Sequence, residues 1–200
     1  MSIATVGLLD DAIGNDPGIV KEALRNQDID YEKWGDEKLE HFIHGWYRGD
    51  FLWDLASKNL EIHLAVITVR RKNHGGLFDK LRETRREFSD NRVEQKLQRC
   101  GTFVEKMRGA DTGYSAAIRG MAKKLGQTVP EFKDPTRFNL ERLGKRTVSS
   151  GTYPAYQEFQ VNQEQILFQC DIDPTSVLNV EKYIYVKGPR TIHFGWPGQN

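Results

Sequence analysis

The sequence predicts an α+β fold: a helical N-terminal two-thirds (residues 1–146) packed on a small, mainly antiparallel C-terminal sheet (residues 147–200), in a single domain spanning residues 1–200. Three observations carry this. Apolar residues recur at helical spacing through much of the first 146 positions. From Thr147 onward the spacing changes to period two. The 200 residues, 38% hydrophobic and 28% charged, are enough to bury one core.

The elements follow in order. Asp16 and Pro17 have the residue types of an N-cap and a first helical position, and Ile19, Val20, Ala23 and Leu24 continue a helix to about Arg25. A second helix starts near Asp36, with Leu39, Phe42, Ile43, Trp46 and Tyr47 on one face. Gly45 and Gly49 predict a break, followed by a short helix from Asp50 to about Lys58. Leu60, Ile62, Leu64 and Val66 alternate with Glu61, His63 and Ala65, which is a half-buried strand. Arg70 to Gly76 is a basic, glycine-rich loop. Charged residues at i,i+3 and i,i+4 spacing predict a helix over Leu77–Phe88, and a further helix is expected over Val93–Met107. Tyr114 to Leu125 completes the helical part, and Thr128 to Phe138 is a connection. Phe159 and Val161 then share one parity while Ile166, Phe168, Cys170 and Ile172 share the other, so a turn or bulge is expected near Asn162-Gln163. Tyr183–Val186 and Thr191–Phe194 are two more strands.

Composition excludes several classes. The longest uninterrupted apolar stretch, Leu64–Ile67, is far short of the ~20 residues that a helix needs to cross a bilayer. The first residues run into Asp10-Asp11 without a basic leader, which implies a cytoplasmic protein unless a specialised machine exports it. Cys100 and Cys170 are expected as buried free thiols rather than a disulfide or a zinc site. No phosphate-binding glycine loop is present. His41, His44 and His63 show no carboxylate–histidine partner set in sequence, so no metal is expected. Asp111, Glu131 and Lys133 have the residue types of a metal-dependent nuclease but lie on no clear strand.

Charge is unevenly placed. Residues 1–66 carry 6 Lys and Arg against 13 Asp and Glu, residues 67–146 carry 20 against 10, and residues 147–200 carry 3 against 5. One reading is therefore a non-enzymatic binding or assembly protein whose basic middle contacts nucleic acid or an acidic partner, through Arg70, Arg71, Lys72, Arg85 and Arg86. Interleaved Glu83, Glu87 and Glu94 suit an ion-paired surface equally. The aromatic surplus around Trp46, Phe51 and Trp53 is expected either under the C-terminal sheet or at a homo-oligomer interface.

A second reading comes from short motifs. Phe42-Ile43-His44-Gly45, Gly113-Tyr114-Ser115-Ala116 and Tyr156-Gln157-Glu158-Phe159 resemble, in order, the histidine–glycine, glycine–tyrosine and glutamate elements of the poly(ADP-ribose) polymerase-like branch of the ADP-ribosyltransferase superfamily. The resemblance implies NAD as the ligand of an active or degenerate transferase. It also implies catalytic-site roles for His44, Tyr114 and Glu158, with Gly45, Arg48 and Ser115 contributing to cofactor binding. Trp46-Tyr47-Arg48-Gly49-Asp50 also resembles the opening arginine strand of a second branch, which would be completed by Ser115 and Glu164 or by Ser149-Ser150 and Glu158.

Overall fold

A computed structural model describes residues 16–54, 57–95, 102–153 and 156–197. Cys100 lies outside the described residues. The chain forms two compact units. The first comprises Met1–Leu64, Lys106–Thr112 and Arg146–Gln165; the second comprises Ala65–Glu105, Gly113–Lys145 and Ile166–Asn200.

Among the described residues the chain is dominated by sheet. The helices are α1 (Pro17–Asn26), α2 (Asp36–Tyr47) and α3 (Gly113–Lys124), with short 3₁₀ turns at Tyr31–Trp34, Pro130–Lys133 and Pro135–Arg137. The strands are β1 (Leu52–Asp54), β2 (Asn59–Lys72), β3 (Phe78–Lys80), β4 (Arg82–Phe88), β5 (Val93–Gln95), β6 (Thr102–Lys106), β7 (Leu140–Tyr153), β8 (Tyr156–Ile172), β9 (Lys182–Lys187) and β10 (Arg190–Gly195). One sheet has the order β1-β2-β8-β7, with β3 and β6 also pairing with β2. The other is β5-β4-β10-β9.

This overturns the expected helical N-terminal two-thirds. The short helix expected from Asp50 is replaced by β1, which pairs antiparallel with the start of β2 through Trp53↔Leu60. The charged helix over Leu77–Phe88 is instead β3 and β4, and the described parts of Val93–Met107 are mainly β5 and β6. The physical reason is visible in β4. It pairs on both sides, with β10 and with β5, and its register against β10 shifts between His193 and Phe194, so that Arg85 faces His193 while Glu83 faces Phe194. Thr84 is the extra residue of a β-bulge. The bulge brings Glu83 and Arg86 onto one face, where they pair at 2.8 Å. A three-residue spacing that reads as helical is thus produced by a strand.

The first unit is built around aromatic rings. Asp16 caps α1 as expected, its Oδ1 accepting from the Gly18 N–H at 2.8 Å, with Pro17 at the first helical position. α2 buries Leu39, Phe42, Ile43 and Trp46. The Phe42 ring lies 4.9 Å from Phe51, 5.6 Å from Trp53 and 5.3 Å from Phe159, centroid to centroid. Phe42 and Phe159 are fully buried, each worth about 1.5–3 kcal/mol by burial alone.

In the second unit α3 buries Ala116, Ala117, Gly120 and Met121. A β-carbon on Gly120 would sit 3.1 Å from Glu105 Cβ and 3.3 Å from Ile67 Cδ1, so small residues allow α3 to approach β6 and β2 closely. Phe103 meets Phe194 at 4.9 Å, and Tyr183 and Trp196 are buried nearby. Cys170 is a buried free thiol, and burial pushes its pKa up to about 12.

Two long strands change their buried parity where the chain passes from one unit to the other. β2 buries Leu60 and Ile62, then the whole run Leu64, Ala65, Val66 and Ile67, and then Val69 on the other parity. β8 buries Phe159 and Val161, then Ile166, Phe168, Cys170 and Ile172. The parity change expected near Asn162-Gln163 is real, but β8 runs through it unbroken.

No helix among the described residues is long and apolar enough to cross a membrane.

Candidate functional site

Strand alternation places Glu61 and His63 on the same face of β2, two residues apart, and Glu164 comes from β8, the neighbouring strand in the sheet. One ligand-type atom from each of these three side chains lies within 4.8 Å of the others. His63 Nε2 is 2.9 Å from Glu61 Oε1. This contact is a hydrogen bond, at a separation that two neighbouring ligands each about 2.1 Å from one ion would also have, about 3 Å.

The wall beside this cluster is a tight turn. The Arg108 N–H donates to Asp111 Oδ2 and the Asp111 N–H to the Arg108 carbonyl, both at 2.8 Å. Gly109 sits at φ +46°. Gly49, at φ +65°, approaches so closely that a β-carbon there would lie 2.9 Å from the Gly109 nitrogen. The Met107 N–H donates to the His63 carbonyl at 2.9 Å, fixing the turn against β2. Between these parts lies a cavity of about 120 Å³ lined by Gly49, Phe51, Glu61, His63, Gly109 and Asp111 among others.

Two arginines close to this turn are committed elsewhere. Buried Asp50 takes Arg48 Nη2 on Oδ2 at 2.8 Å and Arg108 Nε on Oδ1 at 3.0 Å, the second an ion pair whose angle makes no hydrogen bond. The charged groups lining the cavity are therefore the carboxylates of Glu61 and Asp111 with the His63 imidazole, and Glu164 adds a third carboxylate beside it. That set favours a cation.

The residues singled out from sequence lie as follows. His44 is on the last turn of α2, 3.5 Å from Glu40, beside a separate groove of about 330 Å³ between α1 and α2. Glu158 accepts from Trp34 Nε1 at 3.0 Å. Tyr114 and Ser115 open α3 in the second unit, with Tyr114 edge-on to Phe168. Gly45 and Gly113 have packing reasons to be glycine: a β-carbon would lie 2.8 Å from Phe51 Cε1 at the first and 2.7 Å from Ile166 Cδ1 at the second.

The basic residues of the middle segment are largely engaged. Arg70 is bidentate to Asp171 at 2.8 and 2.7 Å and lies 4.1 Å over Phe78. Arg71 lies 4.4 Å over Trp196 and donates to Asn179. Arg85 pairs with Glu87 and Arg86 with Glu83, both at 2.8 Å, while Lys72 is exposed. Asp111 lines the cavity of the first unit, whereas Glu131 and Lys133 sit on a 3₁₀ turn of the second.

Sequence reasoning missed the Glu61–His63–Glu164 grouping. The i,i+2 pair on a strand was a readable signal; the pairing of β2 with β8, about a hundred positions apart, was not.

No family model matches the chain, and no curated protein does. Among solved structures, an Ap4A hydrolase of C. elegans matches with 11% identity and a TM-score of 0.33, over 66% of this chain and 78% of that one. A binary complex of a C. elegans Ap4A hydrolase matches with 12% identity and a TM-score of 0.35, over 68% and 78%. The apo form of the T. brucei MERS1 protein matches with 16% identity and a TM-score of 0.37, over 78% of this chain and 52% of that one. None of these is an ADP-ribosyltransferase. With no family model and no curated protein matching, and with packing accounting for glycine at Gly45 and Gly113, the motif resemblance and the transferase function it implied are corrected. The expectation of NAD rested on that resemblance alone. TM-scores of this size carry no functional argument.

Proposed function

We propose that the chain is a divalent-metal-dependent hydrolase of a small oxyanion ester, with Glu61, His63 and Glu164 as the metal ligands. The observation that carries the reading is the convergence of ligand-type atoms of these three side chains within 4.8 Å of one another, beside a cavity that Glu61, His63 and Asp111 help to line. One imidazole with two carboxylates suits an ion of the Mn²⁺ or Zn²⁺ type. Three protein ligands leave coordination positions open, as in catalytic rather than structural sites.

A divalent ion bound there would lower the pKa of a coordinated water and polarise a bound oxyanion. The chain's own residues hold the geometry. Glu61 and His63 are fixed by the pleat of β2, and Gly49 and Gly109 bring backbone close to the opening. Asp111 lies in the cavity wall, where a carboxylate can accept a proton from an attacking water. At about 120 Å³ the cavity is below the roughly 300–1,000 Å³ typical of pockets for whole organic cofactors, but it admits a phosphoryl-sized head.

The test is titration calorimetry of metal-stripped protein with MnCl₂ and ZnCl₂, followed by turnover of bis(p-nitrophenyl) phosphate. The reading expects saturable binding, weakened at least about tenfold in Glu61→Gln and Glu164→Gln, and metal-dependent turnover lost in both. Equal affinity in wild type and variants, or no binding, overturns the metal site. Binding without turnover of any phosphoester overturns the hydrolase.

A further inference from the structure

Strand pairing sets a row of side chains side by side at one end of the second unit's sheet. Lys187, the last residue of β9, pairs with Arg190 of β10, and Arg190 pairs in turn with Phe88 of β4. The register of β4 against β5 continues to Arg92, whose carbonyl accepts from the Phe88 N–H at 2.9 Å. Residues directly opposite one another on a ladder share a face of the sheet. The four therefore form one strip, Lys-Arg-Phe-Arg, running across the sheet in the order β9-β10-β4-β5. At about 4.8 Å per strand the strip is about 14 Å long. Its turns are tight and joined: Asn91 sits at φ +63°, Gly188 at φ +55°, and the Ser89 N–H of one turn donates to the Pro189 carbonyl of the other at 2.9 Å.

The strip is cationic and open to solvent. Lys187, Arg190 and Arg92 are exposed and Phe88 is half-buried. Among the described residues no carboxylate pairs with Lys187 or Arg190, and Asp90 and Glu94 come no closer than 4.0 Å to Arg92. Arg92 Cζ lies 4.0 Å from the centre of the Phe88 ring and Arg190 Cζ 5.7 Å from it. Stability does not account for this arrangement, because like charges directly opposite on a ladder, as Lys187 and Arg190 are, destabilise the pairing. A line of negative charge laid along the strip turns that repulsion into attraction. Cations in line with an aromatic ring between them suit phosphates in line with bases between them. An acidic peptide would use the cations and leave the ring without a role.

We propose that Lys187, Arg190, Phe88 and Arg92 form a binding strip for single-stranded nucleic acid, with the three cations on backbone phosphates and Phe88 against a base. At about 3.4 Å per stacked nucleotide the strip spans about four nucleotides. Arg190, the looser of the two guanidiniums on the ring, turns from Phe88 to a phosphate as the base stacks. The strip is separate from Arg70, Arg71, Arg85 and Arg86, which have partners of their own, and it does not rest on the metal site of the first unit.

The experiment is fluorescence anisotropy of the full chain with labelled oligo-dT and oligo-rU over a range of salt concentrations. Binding is expected to weaken with salt at a log–log slope of about −2, for three phosphate contacts. Lys187→Ala and Arg190→Ala should each weaken binding several-fold and make the slope shallower by about 0.7. Each should leave the melting temperature unchanged or raised, because each removes one member of the repelling pair. Phe88→Leu keeps an apolar side chain; it should weaken binding at least about fivefold with the slope unchanged. Lys182→Ala, at the opposite end of β9, should alter neither affinity nor slope. Absence of binding, or binding indifferent to Lys187→Ala and Arg190→Ala, overturns the proposal. Polyglutamate competing as well as oligo-dT at equal charge would assign the strip to an acidic protein segment, and tighter binding of duplex than of single strands would overturn the single-strand assignment.

Discussion

Thr128 and Ile184 exchange two hydrogen bonds, the Ile184 N–H donating to Thr128 Oγ1 at 2.7 Å and the hydroxyl donating to the Ile184 carbonyl at 3.1 Å. Gln127 does the same for Val186, at 2.8 Å to its N–H and 3.3 Å to its carbonyl. β9 is an edge strand of its sheet. The outward backbone groups of Ile184 and Val186 are therefore capped by side chains from the segment after α3.

An uncapped edge with two exposed apolar residues is a template for pairing with another chain. The double change Gln127→Ala with Thr128→Ala is expected to cost about 1–2 kcal/mol and to produce concentration-dependent self-association. Light scattering after size exclusion measures it. Adding Ile184→Lys should restore the original mass, because a charge on an edge disfavours pairing. An unchanged mass for the double variant across a wide concentration range would show that the caps do not protect the edge.

Lys124 predicts a pH dependence of stability. Its pKa is lowered from 10.5 to about 8, chiefly by desolvation, with Glu105 opposing and with Lys123 and Lys187 adding to the fall. Between about pH 8 and 10.5 the unfolded chain keeps a proton that the folded chain has lost, so this residue makes stability rise with pH across that window. Below pH 8 both states are protonated and the full penalty is present. Lys124→Met is therefore expected to stabilise by about 1–2 kcal/mol at pH 7, after loss of the bond to the Val104 carbonyl, with the gain vanishing above about pH 10.5. Denaturant melts at pH 7 and 10.5 decide it. A variant less stable at pH 7 would mean that the hydrogen bond outweighs the desolvation.

Trp53 joins β1 to the aromatic centre of the first unit. It is 7% exposed, edge-on to Phe159 at 5.5 Å and to Phe42 at 5.6 Å, and its indole N–H donates to the Ser57 carbonyl at 3.1 Å. Trp53→Ala should destabilise by about 3–5 kcal/mol, read as a fall in denaturation midpoint at constant mass. A fall in mass with an unchanged monomer midpoint would place this ring at a subunit interface instead.

The fold was partly legible in the sequence. Asp16 and Pro17 marked the start of α1 because capping is local chemistry, and the period-two runs of β2 and β8 reported burial directly. The stretch over Arg82–Phe88 did not, because its summed propensity is helical and only pairing on both sides makes it a strand. The bulge at Thr84 then reproduced a helical charge spacing. The parity changes were present as letters, across the apolar run Leu64–Ile67 and between Val161 and Ile166, but their meaning depends on where the chain leaves one unit for the other. The candidate metal ligands were legible as far as Glu61 and His63 on one strand face. Glu164 required knowing which strands are neighbours, which is a property of topology rather than of spacing.

Gly45 gives a prediction whose sign separates packing from propensity. It lies inside α2, where replacing glycine by alanine ordinarily stabilises a helix by about 1 kcal/mol. Here the added methyl would stand 2.8 Å from Phe51 Cε1. The Phe51 ring cannot move aside cheaply, because it is 4% exposed and packed against Phe42, which is itself held by Trp53 and Phe159. Overpacking of this kind costs about 1–3 kcal/mol, more than the helical gain returns. Gly45→Ala should therefore lower the melting temperature. Pairing it with Phe51→Leu, which removes the ring atoms in contact, should make the alanine change neutral or favourable in that background. If Gly45→Ala alone raises stability, Phe51 yields more readily than its packing implies, and another reason must be found for glycine at this position.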